Sequence, residues 1–471
     1  MASVSGNLHP FKLKNINSLI LISPNNAFLA RNTIKLLGEA AGLRLSLNPE
    51  IKLRLILSLL SAVVLVLKLV VISYPWPSIP SSMCIYGVKP ECGFIFDEAH
   101  YVRAVRQIIL WSPTGEYHPN IEHPPLVKVL IMLGIMILGD NPWGWRIFPA
   151  LSGVASIYIL GIIAYQLTRD EKLSLIAASL FAFDITSFNL GSMAILDPTT
   201  LMFSLLGTLF YLRRNALSAG IALGLALLCK LTAIFVIAAL VIMELLTLLW
   251  RGYRRVNLKT SLKYLVRILL YAFIIMISGL WIYDYYYQIF PNPFMHLSFM
   301  LRYHSTMLTP NSSEGSSPLS WTNPVLQFPR ELYAGVYTMI DNKVYYIIAY
   351  YGMQTPLWWV TWAVIGFLAY FLAIGLKEGK FNVSDCFVLV WLACNYLSYF
   401  PISLLRPVYS FYFYMNVPIV ALGISRLLSG DKLAELMLYG LLAAQLIYFI
   451  LFFPVKPLWL VMKLVELGIP Q

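Results

Sequence analysis

Two acidic residues and a histidine-proline run follow the first long apolar segment of the chain, where it should leave a membrane. Asp97 and Glu98 come first, and Glu122-His123-Pro124-Pro125 follows about two dozen residues later. A carboxylate at a membrane–water boundary can take the proton of a hydroxyl nucleophile, and a lipid can deliver the other substrate there. These residues indicate a membrane enzyme rather than a channel or a structural protein. The alternative is helix capping by Asp97, because acids favour the start of a helix and the segment after Glu98 is predicted to be helical.

The composition is that of an integral membrane protein. The chain has 471 residues, of which 59% are hydrophobic and 12% charged, and its mean hydropathy is +0.73. Soluble domains carry about 25% charged residues. The apolar stretches are near the length that crosses a hydrocarbon layer of ~30 Å, and they lack strand-like alternation, so they are predicted to be helices. The net charge of +12 comes largely from short loops, where it sets orientation, so nucleic acid is excluded as a partner.

The predicted fold class is an all-α integral membrane protein with about eleven transmembrane helices. With a cytoplasmic N-terminus, nearly every basic cluster falls on the inner side. The apolar segment 125–139 is short, and counting it as a crossing would invert the rest, so an interfacial or re-entrant helix is predicted there. The spans are predicted near residues 53–73, 146–167, 172–190, 197–213, 216–229, 231–250, 264–286, 356–376, 384–402, 408–427 and 432–455.

Two regions are predicted. Residues 1–50 form a cytoplasmic lead-in, either with amphipathic helices on the membrane or partly disordered, and residues 51–471 form one transmembrane domain. Long outer loops with short interfacial helices cover 74–145 and 287–355. Cys84 and Cys92 fall in the first of these loops and could form a disulfide, since an extracytoplasmic compartment permits one. No metal-binding pattern is present and no cofactor is required, although Asp97 with Glu98 could hold a divalent ion.

Further ionisable residues are predicted near the outer boundary. Asp197 begins a span on the same side as Asp97, although Asp before Pro is also typical of an ordinary helix start. Arg146, Lys230 and Arg406 lie close to apolar segments, where ionisable groups are costly and usually functional. They could hold a lipid phosphate. The alternatives are interfacial anchoring for Arg146, snorkelling for Lys230 and a loop carboxylate partner for Arg406.

Other polar and aromatic side chains could form the wall of a site. His123 precedes two prolines that fix the chain, and Lys128 follows one turn into the next helix. Tyr303, His304 and Trp321 lie in the second outer loop. Aromatic rings there could stack on a sugar, or they could simply belong to the membrane interface.

Taken together, these residues resemble the protein O-mannosyltransferase family, which are integral-membrane glycosyltransferases of the GT-C type. The resemblance runs from about Leu53 to the last span, and the order and spacing of its pieces make it specific. Its strongest parts are Phe96-Asp97-Glu98-Ala99-His100-Tyr101, Glu122-His123-Pro124-Pro125-Leu126-Val127-Lys128 and Trp145-Arg146. Also similar are Leu196-Asp197, the stretch from Gly224 to Lys230 that ends Leu228-Cys229-Lys230, Pro318-Leu319-Ser320-Trp321 and Arg406-Pro407-Val408-Tyr409-Ser410-Phe411-Tyr412.

The resemblance implies transfer of mannose from dolichyl- or polyprenyl-phosphate-mannose to Ser or Thr hydroxyls of proteins at the outer face of the membrane, with inversion. By this analogy Asp97 is the general base, and Glu98 positions Asp97 or the acceptor. Arg146, with Lys230 and Arg406, would hold the lipid phosphate. The cell membrane is the implied location.

The chain departs from the eukaryotic members because the 287–355 loop is too short for their MIR domain, which indicates a prokaryotic, archaeal member. Aminoarabinose transferases also use a lipid-phosphate donor and an acidic first loop, so transfer to a lipid or glycan is the alternative. A transporter or lipid flippase is a further alternative, but no inverted repeat is evident. The chain has no Walker loop and no G-x-S-x-G motif, which argues against ATP-driven transport and hydrolase chemistry.

Overall fold

The structure is a computed structural model, and it describes residues 49–85, 89–110, 120–251, 258–306, 315–326 and 331–469. The chain divides into two compact units, Met1–Lys52 and Leu53–Gln471. Only Pro49–Lys52 is described in the first unit, so the predicted lead-in lies almost wholly outside the described residues. The site and its supporting elements belong to the second unit.

Helices dominate the described chain. The first half contains α1 (Pro49–Val71), α2 (Glu98–Leu110), α3 (Leu126–Leu138), α4 (Pro142–Thr168), α5 (Glu171–Ala182), α6 (Ile185–Leu190), α7 (Asp197–Leu212), α8 (Ala216–Cys229) and α9 (Ile234–Arg251). The second half contains α10 (Leu258–Tyr287), α11 (Pro293–Thr306), α12 (Pro356–Trp359), α13 (Thr361–Lys377), α14 (Val383–Leu392), α15 (Tyr399–Ser403), α16 (Val417–Leu427), α17 (Lys432–Leu451) and α18 (Leu458–Glu466).

Among the described residues, seven helical segments are long and apolar enough to cross a bilayer, so the chain is an integral membrane protein. The predicted count of eleven is not confirmed. These segments are Glu50–Val71, Pro142–Thr168, Leu231–Trp250, Leu258–Tyr287, Pro356–Lys377, Val383–Ser403 and Lys432–Leu451.

The span predicted at 172–190 is interrupted. α5 ends at Ala182, and α6 begins at Ile185 because the Asp184 carboxylate accepts a hydrogen bond of 2.8 Å from the Ser187 backbone N–H. A side-chain oxygen in that position replaces a missing helical partner and starts a new helix.

The short apolar segment at 125–139 forms α3, with 13 residues. At 1.5 Å per residue this helix is about 20 Å long, which is too short to cross a hydrocarbon layer of ~30 Å unaided. It packs closely on α4, because a Cβ added at Gly134 would lie 2.0 Å from the Gly144 carbonyl oxygen. The short length agrees with an interfacial or re-entrant helix.

Small residues bring α8 against α10. A Cβ added at Gly220 would lie 2.8 Å from the Ile268 carbonyl oxygen, and one at Gly224 would lie 2.7 Å from the Ala272 carbonyl oxygen. Glycines allow helices in membranes to approach this closely. The contact fixes the position of α8, whose C-terminal end carries Lys230.

A β-hairpin was not predicted and lies within the loop 287–355. Strands β1 (Glu331–Ile340) and β2 (Lys343–Gly352) pair antiparallel. Asp341 and Asn342 form the turn with φ of 50° and 63°, the left-handed pair that a type I′ hairpin requires. The register shifts between Leu332 and Ala334, which leaves Tyr333 as a bulged residue.

Candidate active site

The carboxylate of Asp97 is held at the start of α2 by an unusual backbone turn. Phe96 has φ of 51°, which is rare for a bulky residue and persists only where contacts enforce it. Its ring centroid lies 4.4 Å from that of Tyr333 and 5.1 Å from that of Phe411, and its N–H donates to the Tyr333 carbonyl over 3.2 Å. These contacts aim the residue that follows.

Asp97 is half-buried, and no described residue forms a hydrogen bond or an ion pair with its carboxylate. It therefore does not cap α2 through its side chain, which removes the simple structural explanation for this acid. Burial raises the pKa of Asp97; the positive charges of His100 and Lys230 oppose that shift, and Asp197 adds to it. A carboxylate with a raised pKa is a stronger base than an ordinary aspartate.

Asp197 and Lys230 form an ion pair beside Asp97. The Lys230 Nζ lies 2.8 Å and 3.0 Å from the two carboxylate oxygens of Asp197. The same ammonium lies 5.3 Å from the ring centroid of Phe411 and 5.0 Å from that of Tyr412. The structure thus brings the start of α7 and the end of α8 together near Asp97.

Arg406 is a cation without a carboxylate partner among the described residues. Its Nε is buried and makes no hydrogen bond with any residue that the structure describes. The guanidinium is close enough to His304, Tyr303 and Tyr412 for its charge to act on each of them. An Arg in this state can accept an anionic ligand without first breaking an ion pair.

Histidine and tyrosine rings form one wall of the site. The ring centroid of His123 lies 6.0 Å from that of Tyr101 and 5.3 Å from that of His304, and the His304 centroid lies 5.5 Å from that of Tyr303. Burial lowers the pKa of His123 well below its usual value, and the charges of Lys128 and Lys230 lower it further. His123 is therefore neutral at physiological pH and can offer one hydrogen-bond donor and one acceptor.

Lys128 supports this wall from behind. It is buried, and its Nζ donates to the carbonyl of His123 over 2.9 Å and to that of Asn120. The His304 Nε2 lies 3.2 Å from the carbonyl oxygen of Glu122. These bonds fix the loop before α3, so the predicted contact of Lys128 with substrate is replaced by a contact with the loop backbone.

Glu98 does not face the site. Its side chain is 0% exposed. Oε1 accepts from the Arg146 Nε and from the Ala194 N–H, and Oε2 accepts from the Arg146 Nη2 and from the Ile95 N–H, each over 2.8 Å. Both oxygens are fully used. The prediction of a catalytic role is therefore corrected to a positioning role, because Glu98 fixes the turn that presents Asp97.

Arg146 is occupied in the same way. Besides Glu98, its guanidinium donates to the carbonyl oxygens of Ile72, Tyr74 and Gly93 over 2.8–2.9 Å, and its side chain is 0% exposed. All five N–H donors have partners, so no donor remains for a phosphate. The predicted phosphate contact of Arg146 is corrected: this residue ties the end of α1 to the loop 74–145.

Trp321 lies behind the site. It is fully buried, its Nε1 donates to the Ser316 Oγ over 2.7 Å, and its ring centroid is 5.6 Å from that of Tyr399. A buried ring cannot stack on a sugar as predicted. It supports Tyr399, on which the charges of Asp197 and Arg406 both act.

Several residues of the site were missed. Tyr101, Phe411 and Tyr412 surround the two acids and Lys230, and the bulged Tyr333 holds Phe96. The aromatic run 409–414 was a visible signal for two of them, because it directly follows the Arg406-Pro407 motif. Nothing local marks Tyr333, since its role depends on a contact with a residue more than two hundred positions away.

Cys84 and Cys92 form a disulfide, one of the two states that the sequence left open. No group of three or more potential metal ligands occurs in the ranges that the structure describes. The absence of a cofactor requirement stays a prediction.

The helical membrane bundle carries an acidic loop, residues 74–145, after its first long helix, and its likeness to solved structures gives the fold class as GT-C. The chain superimposes on the Saccharomyces cerevisiae protein O-mannosyltransferase Pmt1-Pmt2 complex bound to the sugar donor, with a TM-score of 0.65 and 12% identity, covering 89% of this chain and 91% of that one. It also superimposes on ArnT from Cupriavidus metallidurans bound to undecaprenyl phosphate, with a TM-score of 0.52 and 16% identity, covering 81% and 61%. At these identities the likeness establishes the fold.

Within the GT-C fold class, the sequence is similar to protein mannosyltransferases. Residues 122–282 match the family described as dolichyl-phosphate-mannose-protein mannosyltransferase. A polyprenol-phosphate-mannose–protein mannosyltransferase of Mycolicibacterium smegmatis is 34% identical over 113 residues, which are 23% of this chain and 22% of the relative. Its counterpart in Corynebacterium glutamicum is 37% identical over 98 residues, which are 19% of each chain. The predicted resemblance is confirmed, and the aligned segments span about a fifth of these relatives' length.

Proposed function

We propose that this protein is an inverting glycosyltransferase that moves mannose from a dolichyl- or polyprenyl-phosphate donor to Ser or Thr hydroxyls of proteins. The observation that carries the proposal is the Asp97 carboxylate, which has no hydrogen-bond or ion-pair partner among the described residues and lies close enough to Lys230 to feel its charge, in a GT-C fold. The names of the bacterial relatives support the donor and the acceptor class.

The reaction follows from the charges around the site. Asp97 takes the proton of the acceptor hydroxyl while its oxygen attacks the anomeric carbon of the sugar. The bond between that carbon and the phosphate oxygen breaks, and the leaving lipid phosphate keeps the electron pair. Lys230 and Arg406 stabilise the negative charge that develops on it. Attack from the side opposite the phosphate inverts the anomeric centre.

The remaining side chains of the site hold the reacting groups in place. Asp197 holds the Lys230 ammonium with both carboxylate oxygens, which fixes this cation without neutralising Arg406. His123, His304 and Tyr303 offer ring faces and hydrogen-bonding atoms suited to a sugar.

The site is proposed to lie on the extracytoplasmic side, with the N-terminus in the cytoplasm. The Cys84–Cys92 disulfide in the first outer loop supports this, because disulfides persist in oxidising compartments. The charges support it as well, because the opposite helix ends are basic and such residues mark the cytoplasmic side. They are Arg169, Lys172, Arg213, Arg214, Lys377, Lys380, Arg426 and Lys432.

The direct test is transfer by the purified protein from dolichyl-phosphate-mannose to a Ser/Thr-rich peptide, with the anomeric configuration of the product determined by NMR. We expect an α-linked mannosyl peptide from the β-linked donor. Transfer to a lipid and not to the peptide would replace the proposal with an aminoarabinose-transferase-like activity. Movement of the lipid-linked sugar across liposomes without bond formation would replace it with a flippase.

Arg406 offers a test of the phosphate site. Arg406→Gln is expected to weaken binding of undecaprenyl phosphate at least about tenfold, the effect of about 1.4 kcal/mol, because it removes a charge-assisted contact. Arg406→Lys should recover part of the affinity, since charge remains but the planar fork is lost. Binding is measured by the shift in unfolding temperature with added lipid phosphate. Arg302→Gln, an exposed arginine on α11, is the matched control, and equal affinity in both variants would contradict the assignment.

A further inference from the structure

The two edges of the β-hairpin differ in how many backbone hydrogen bonds they form with the rest of the chain. The outer edge of β2 is covered, because the Ala349 N–H donates to the Pro454 carbonyl over 2.8 Å and the Lys456 N–H donates to the Ile347 carbonyl over 3.0 Å. Ile348 and Val455 form an isolated bridge on the same edge. The strand is consequently buried along its C-terminal half.

Among the described residues, few contacts cover the outer edge of β1. Within the part of the chain that the structure describes, a single backbone hydrogen bond reaches this edge from outside the hairpin, from the Phe96 N–H to the Tyr333 carbonyl. Beyond it, Val336, Tyr337 and Met339 are exposed. Half of the peptide groups of an edge strand point away from its partner, so β1 presents a row of N–H and C=O groups that another strand can pair with.

This open edge leads to the proposed catalytic carboxylate. The residue that bonds to its inner end is Phe96, the direct neighbour of Asp97. Glu331 at the start of β1 lies within 3.5 Å of the Ser410 hydroxyl, next to Phe411 of the site. The bulge at Tyr333 turns its carbonyl toward this point, and bulges beside active sites commonly aim groups in this way.

We propose that the acceptor polypeptide binds in an extended conformation as a third strand on the outer edge of β1, which delivers its hydroxyl to Asp97. This inference rests on the proposed function and names the form in which the acceptor is recognised. Backbone pairing supplies affinity for an extended chain with little demand on its side chains. The enzyme would therefore select unfolded or extended segments more than a particular sequence.

The length of the edge sets the expected footprint. Tyr333 and Ile340 are seven residues apart, which is about 24 Å in an extended strand. Acceptor residues on one side of the modified Ser or Thr should therefore contribute to binding, up to about seven of them, and residues on the other side should contribute less. The exposed apolar side chains of β1 would meet every second residue of the acceptor.

The first test uses acceptor peptides with one backbone N-methyl group each, scanned along the peptide. Pairing with β1 predicts that methylation raises the KM at every second position on one side of the hydroxyl, at least about fivefold, because alternate N–H groups point into the ladder. Methylation on the other side should change the KM less than twofold. A flat profile in an enzyme that transfers the sugar would overturn the inference and leave the proposed function standing.

The second test measures binding of the acceptor peptide to β1 and does not depend on sugar transfer. Met339→Cys and Val344→Cys are cross-strand partners at the tip of the hairpin, and both native side chains are exposed. A third strand on β1 lies about 4.8 Å from β1 and about twice that from β2. A peptide carrying an activated cysteine should therefore form a disulfide with Met339→Cys and not with Val344→Cys.

The same experiment also tests the register between the peptide and β1. Moving the protein cysteine from Met339 to Val336 should move the best peptide position by three residues. Equal reaction of Met339→Cys and Val344→Cys would indicate collision without pairing. If liposomes shield both cysteines from the activated peptide and no peptide is captured, the hairpin lies in the bilayer. Either result overturns the inference, even if no sugar is transferred.

Discussion

Asp97→Asn should lower the rate of mannosyl transfer at least about 100-fold while the protein stays folded, since loss of a general base costs about two to four orders of magnitude. The Asn side chain keeps the size of Asp97 and cannot accept the proton. No described residue bonds to the Asp97 carboxylate, so the substitution breaks no hydrogen bond or ion pair of the fold. Glu91→Gln, an exposed acid in the same loop, is the control and should keep full activity.

The same variant should be at least as stable as the wild type. The pKa of Asp97 is raised by burial, so the folded protein binds this proton more tightly than the unfolded chain does. The stabilisation from the proton is fully present below the ordinary pKa of aspartate and is lost as the pH rises through the raised pKa. At neutral pH the ionised Asp97 therefore opposes folding, and a neutral Asn removes that cost.

The pH dependence of the transfer rate of the wild type tests the role of Asp97 separately. The transfer rate should fall as the pH drops through the raised pKa of Asp97. The fall should therefore occur at a higher pH than the ordinary pKa of aspartate. Unfolding temperature and transfer rate are measured on the same preparations. Transfer at the wild-type rate by Asp97→Asn would remove it as the base, and a large drop in unfolding temperature would show that the carboxylate has a structural partner.

The membrane fold was predictable because its signal is local. Apolar stretches near 20 residues and basic loops identify spans without knowledge of their packing. The hairpin was not predictable in this way, because β1 and β2 are stabilised by contacts of β2 with residues 454–456, about a hundred positions later. The break at Asp184 was equally hidden, since its carboxylate bonds to Thr355 and Gln445 from distant helices.

The sequence predicted which residues belong to the site better than it predicted what each of them does. Residue type and position in the chain singled out Asp97, Asp197 and Lys230 as separate candidates, and the structure brings the three together. The same reasoning treated Arg146 like Lys230, because both are cations beside apolar segments. Arg146 differs because all five of its N–H donors are used by Glu98 and three backbone carbonyls. A carboxylate 48 positions away in the chain cannot be paired with Arg146 from spacing alone.

Breaking the Glu98–Arg146 pair should destabilise the protein more than any other substitution considered. Removing one partner leaves the other charge buried without compensation, which typically costs about 3–5 kcal/mol. Glu98→Gln and Arg146→Met should each lower the unfolding temperature strongly or prevent folding. Arg146→Lys should not rescue, because an ammonium has three donors and cannot reach Glu98 together with the carbonyls of Ile72, Tyr74 and Gly93.

The double variant Glu98→Gln/Arg146→Met separates the two assignments of Arg146. If Arg146 serves the fold, its removal should cost less in the Glu98→Gln background than in the wild type, so the two effects are strongly non-additive. If Arg146 were a phosphate ligand, Arg146→Met would fold normally, lose affinity for undecaprenyl phosphate and show no coupling to Glu98. Lys172→Gln, which breaks the exposed pair with Glu435, is the control and should leave the unfolding temperature unchanged, because solvent already screens that pair.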